Sequence, residues 1–175
     1  MNQEKLNEIL RLHELWLADS PEGIHADLYG ANLQEADLEE ANLEGAYLRG
    51  ADLEGANLYG ANLYGANLRG AYLCGANLRG AYLERTNLKE ANLQGVYLKK
   101  AYLYKADFQG ADLCRTDLRG ADLYGVNLQG ANLQGADLKG ADLKGANLNG
   151  VDLSEVNLEG AILKGYNMNR NKANT

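Results

Sequence analysis

From Ala26 to Gly165 the chain repeats a five-residue unit 28 times without an insertion, as in the stretch "ADLEGANLYGANLYGANLRG" over residues 51–70. Position one is small, two is outward and often Asp or Asn, three is Leu, four is variable and five is usually Gly. Leu stands at position three in every unit except at Phe108. A period of five fits neither regular element. Each step of five turns an α-helix by ~140°, which would spread Leu over every side. In a continuous strand an odd step sends successive Leu to opposite faces.

The conflict disappears if the chain bends once per unit. Positions one and three then share a face, as in a strand, and position two points outward between them. Positions four and five turn the corner, where a residue without a Cβ eases the bend. Gly fills position five in 20 units. Short sides alternate with corners, and the Leu are gathered inside.

An unbroken tandem of A[D/N]LxG resembles the pentapeptide repeat family over residues 26 to about 170. The resemblance implies an all-β fold, a right-handed quadrilateral β-helix with four repeats per coil. Three or five sides are equally compatible with the periodicity alone. Four sides make about seven coils of the 28 repeats, and at ~4.8 Å per level the rod is roughly 34 Å long. Thr86, Val96, Thr116, Val126, Val151, Val156 and Tyr166 replace the usual Ala at position one and read as packing variation.

A stack of coils has an open backbone edge at each end. Residues 1–25 read as a capping helix and linker, 26–170 as the β-helix and 171–175 as a tail. Leu6, Ile9, Leu10, His13, Trp16 and Leu17 recur at the spacing of one apolar helical face, so a helix over 3–18 is expected to lay these side chains, Trp16 among them, across the first coil. Asp19, Ser20 and Pro21 stop it. Tyr166 and Met168 are bulky enough for a lid at the other end, which is the expected surface of any end-to-end homodimer; otherwise the protein is a monomer.

Catalytic material is scarce. Ser occurs only at 20 and 154 and His only at 13 and 25, so no nucleophile has a base placed by a recognisable motif. Cys74 and Cys114 fall on one side but two coils apart, ~9.6 Å, too far for a disulfide. No calcium loop, metal-ligand set or phosphate-binding glycine motif is found, and no cofactor is expected. The N-terminus carries no cleavable apolar segment and no stretch is long enough to span a bilayer, so the chain reads as cytoplasmic.

Surface patterning carries what functional signal there is. The net charge of −7 argues against nucleic-acid binding. It is uneven: residues 1–63 hold 13 acids and 3 bases, residues 64–106 hold 2 and 7. In the four-sided register one side carries Arg79, Lys99, Arg119 and Lys139, a basic strip suited to an anionic partner or balanced by Asp117 and Asp137. The next side carries Tyr64, Tyr82, Tyr102, Tyr104 and Tyr124, five of the eleven tyrosines, a candidate protein-partner surface or a support between coils.

Function is expected to be that of a noncatalytic scaffold or protein-interaction module. Most members of the family, abundant in cyanobacteria, have no assigned activity. The alternative implied by the resemblance is a DNA-mimicking inhibitor of a type II topoisomerase such as gyrase, as in quinolone-resistance members, though the basic strip and the lack of a C-terminal helix depart from them. A regulator of an enzyme, acting through the tyrosine side, is the third reading.

Overall fold

The computed structural model describes residues 1–167. Met168 and the tail 171–175, for which a lid and an end were expected, lie outside the described residues, as do the last three residues of the 26–170 segment.

Every position-two residue bridges in parallel to the residue 20 further on, from Asp27 and Tyr47 to Asn147 and Asn167, with one break described below. Twenty residues, four repeats, therefore bring the chain back above itself. The bonds are short and regular: Leu63 N–H donates to Tyr82 O at 2.7 Å and Tyr82 N–H to Ala61 O at 2.9 Å. Only isolated bridges form, not extended strands. Three residues of each unit are straight and the other two are spent on the corner.

At the corners from Leu28 to Leu158 the position-three carbonyl accepts the N–H of the next unit's first residue, as in Ala66 N–H to Leu63 O at 3.0 Å. Position five then lies at positive φ, for instance +65° at Gly80. Non-glycine corners adopt the same backbone at Glu35, Glu40, Arg85, Glu90, Lys100, Lys105 and Arg115, with φ between 54° and 59°. For such side chains the left-handed conformation costs ~1–2 kcal/mol. The turn is imposed by the stack and not by glycine alone.

The choice of Asp or Asn at position two has a local cause. Its Oδ1 accepts the N–H of position four, at 3.0 Å from Asn62 to Tyr64 and from Asp122 to Tyr124. This brace pre-forms the corner. At several levels where Asn stands above Asp or Asn, its amide also donates one level down, as Asn77 does to Asn57 at 3.0 Å and Asn147 to Asn127 at 2.9 Å.

The core is a column of Leu and Ala, with Phe108 accommodated at full burial. Burying a Leu is worth ~1.5–3 kcal/mol. Thr86 and Thr116 are more than packing variation: each buried hydroxyl donates to a carbonyl in the preceding coil, Leu63 O at 2.7 Å and Leu93 O at 2.9 Å.

Helix α1 spans Gln3–Leu17, and Asn2 caps it by accepting the Lys5 N–H. It supplies what a preceding coil would have supplied. The Gln3 side-chain amide donates to Asp37 O and accepts from Asp37 N–H, at 2.8 and 3.2 Å. The Met1 ammonium donates to Asn32 O at 2.6 Å. Leu6 and His13 are fully buried, with Ile9 and Leu10 packed partly against the core and Leu17 partly exposed. Trp16 departs from the expected face: it is 43% exposed. Its ring lies at the rim, stacked on His13 and edge-on to His25, because the returning linker takes the place nearer the coil. That linker crosses so close at Gly23 that a Cβ there would overlap the backbone of Leu15 and Trp16.

The ladder breaks once among the described residues. Asn132 and Asp152 do not bridge, although the neighbouring sides do. A gap of about 360 Å³ opens between segments 130–134 and 150–155. Val151 and Val156 stand at both ends of this side. Glu155 is the one non-glycine corner of the repeats that lies outside the positive-φ region. From this unit onward, Leu153, Leu158 and Leu163 are only partly buried.

Candidate interaction surface

Tyr82 and Tyr102 occupy position two on adjacent levels and bridge through their backbones. Their rings stack in parallel, centroids 5.0 Å apart and planes 5° apart. Level spacing alone sets this distance, since position-two side chains leave the same face at the coil repeat. Tyr104 and Tyr124, at position four on the same face, stack at 5.6 Å and 22°. Tyr64 stands at position four two levels below Tyr104, with the Arg85 guanidinium 5.9 Å from its ring centroid. Four of the five are exposed by 39–46%, and Tyr104 is half-buried.

The fold thus gathers all five tyrosines on one face in two neighbouring columns. A shallow depression of about 410 Å³ lies between Tyr64 and Tyr82, edged by Glu44, Asn62 and Glu84. The rings are held apart from the core by their outward Cα–Cβ bonds, so their stacking orders them without burying them. Ordered, exposed aromatic area is what a protein partner covers at low entropic cost.

The basic strip is differently furnished. Asp117 binds Arg119 through both carboxylate oxygens, at 2.7 and 2.6 Å. That contact holds the Asp117 carboxyl below its ordinary value and raises Arg119. Lys139 pairs with Glu159 at 2.9 Å. Arg79 lies over the Tyr97 ring at 4.7 Å. Lys99 adds its field to Asp117. These partners occupy most of the strip's charge.

Eight copies of the pentapeptide repeat model match residues 26–65, 66–103, 101–140 and 127–165. The chain belongs to the pentapeptide repeat family. No curated protein matches it. Among solved structures, this pentapeptide repeat protein is similar to HetL, a pentapeptide repeat protein involved in heterocyst differentiation regulation from the cyanobacterium Nostoc sp. PCC 7120, at 37% identity over 81% of this chain and 80% of that one, TM-score 0.24. It is also similar to Rfr23 from the cyanobacterium Cyanothece 51142, at 36% identity over 60% and 61%, TM-score 0.32. QnrB1, a plasmid-mediated fluoroquinolone resistance protein, aligns in a trypsin-treated form at 20% identity over 83% and 91%, TM-score 0.44.

Two further features of the pentapeptide repeat surface bear on chemistry. Cys74 and Cys114 are half-buried free thiols flanking Gln94 and Gly95, and burial raises the Cys74 thiol above its ordinary value, which lowers its nucleophilicity near neutral pH. No three metal-ligating side chains converge among the described residues, and no described helix is long and apolar enough to cross a membrane. His25 and Tyr47, absent from the expected cap, pack against each other at 4.4 Å. His25 stands one residue before the first repeat, outside both the helical and the five-residue periods, so neither pattern marks it.

Proposed function

We propose that this pentapeptide repeat protein is a noncatalytic, cytoplasmic interaction module, a right-handed quadrilateral β-helix of about seven coils whose tyrosine face receives a protein partner. The observation that carries the reading is the concentration of Tyr64, Tyr82, Tyr102, Tyr104 and Tyr124 on one face with their rings ordered and exposed. Residues 1–25 serve as cap and linker. The protein acts alone or as an end-to-end homodimer through its C-terminal coil, where Leu153, Leu158 and Leu163 are incompletely covered. Membranes and nucleic acids are not its partners.

Affinity capture from the native cell tests this. The unaltered protein retains a partner that a variant carrying Tyr64→Ser, Tyr104→Ser and Tyr124→Ser loses. Changing Arg79, Lys99, Arg119 and Lys139 together to Gln leaves capture intact. Loss only in the second variant moves the site to the basic side. The alternative, inhibition of a type II topoisomerase by DNA mimicry, rests on the net charge of −7 and is tested by a gyrase supercoiling assay. Unchanged supercoiling at high micromolar protein removes it.

A further inference from the structure

His13 is fully buried between α1 and the first coil, and both of its ring nitrogens are engaged. Nδ1 lies 3.1 Å from the Ala26 N, whose N–H has only that lone pair to meet. Nε2 lies 3.0 Å from Glu44 O, which can only accept. The two partners fix the tautomer: the ring is neutral, with its proton on Nε2. Glu44 O is at the position whose counterpart one repeat on, Arg49 O, receives a corner N–H from Gly30, so His13 stands in for a missing corner. Ala26 opens the first repeat and Glu44 closes the first coil. One imidazole thus ties the helix to both ends of that coil.

We propose that His13 is a pH-sensitive pin for the N-terminal cap, and that its protonation releases α1 and bares the first coil. A proton on Nδ1 would set two donors, Nδ1–H and the Ala26 N–H, against each other at hydrogen-bond distance. It would also place a charge in a site closed to water. The groups facing His13 from each neighbouring element are Glu14 on α1, Glu44 on the first coil and His25 on the linker, the last edge-on at 5.2 Å. The carboxylates favour the proton and His25 opposes it, but burial is the largest influence and takes His13 below the ordinary value of 6.5.

The sign follows from linkage. A histidine depressed in the closed state takes up a proton on opening, so the cap is fully stabilised above the ordinary value and loses that contribution as pH falls toward the lowered one. Across that window the open population rises by up to about tenfold per pH unit. The released edge includes Asn32 O and both backbone groups of Asp37, now held by Met1 and Gln3.

Hydrogen exchange of the full chain between about pH 7.5 and about pH 5 tests the proposal, with rates corrected for the pH dependence of intrinsic exchange. The expected result is a loss of protection on acidification focused on Ala26 and residues 27–48, with residues 107–148 unchanged, both in the unaltered chain and in His25→Gln. Nitrogen-15 shifts of the His13 ring report the Nε2–H tautomer at the upper pH. Protection that falls evenly along the rod, or not at all, overturns the proposal. So does a focal loss that disappears in His25→Gln, which would assign the switch to His25.

Discussion

Tyr82 and Tyr102 bridge one level apart, with their rings parallel at 5.0 Å, and yet each is close to half exposed. The stack is ordered by the coil repeat and pays little into the core, which separates its contribution to binding from its contribution to folding. Changing either residue to Ser is expected to cost less than about 1 kcal/mol, with a coupling between the two of about 0.5 kcal/mol, the low end for aromatic pairs because the rings remain wet. Urea unfolding of the two single variants and the double variant measures both quantities. A cost of several kcal/mol for one ring would make the face structural.

Leu103→Ala removes a fully buried side chain in the middle of the rod. The expected cost is about 2–5 kcal/mol, since the coils above and below hold their own hydrogen bonds and cannot collapse into the cavity. Each coil contacts only its neighbours, so the loss of exchange protection is expected to centre on residues 83–123. A uniform rise in exchange along the chain would contradict this.

The corner backbone predicts a pair of opposite effects. Gly80 sits at φ +65° and a Cβ added there meets nothing within 4 Å, so Gly80→Ala carries only the conformational penalty, about 1–2 kcal/mol. Arg85 already bears that penalty at φ 58°, so Arg85→Gly is expected to raise stability by up to about 1 kcal/mol. Thermal melts of the two variants should move in opposite directions. Movement in the same direction would show that contacts and not φ decide the corner.

Deleting residues 1–20 removes Met1, Gln3 and His13 from the edge of the first coil. The repeat is expected to remain folded and to associate through Asn32, Asp37 and their neighbours, seen as a rise in light scattering with concentration. A truncated chain as small and soluble as the full one would mean that the edge needs no cover.

Much of this architecture is legible in the residues. The Ala and Leu positions declare the inner face, since no other folding of a five-residue period gathers them. Spacing also grouped Tyr64, Tyr82, Tyr102, Tyr104 and Tyr124 once the four-sided register was taken from the resemblance. Other features were hidden because they depend on backbone geometry. Asp or Asn at position two looks like an outward polar residue until its Oδ1 is seen bracing the corner. Thr86 and Thr116 look like substitutes for Ala until their hydroxyls find carbonyls 23 residues earlier. Trp16 follows the apolar helical spacing, but the linker at His25 intrudes and leaves it at the rim. The gap beside Asp152 leaves no mark, since "VDLSE" keeps the five-residue beat.

Photocrosslinking tests the proposed tyrosine face most directly. A photoreactive phenylalanine analogue is placed singly at Tyr102, at Tyr64 and, on the three other faces, at Tyr59, Tyr72 and Arg69, in cells that make the protein. One common protein partner is expected to attach from Tyr102 and Tyr64, and little or none from the other three positions. Equal attachment from all faces, or attachment from Tyr59, Tyr72 or Arg69 alone, would contradict it.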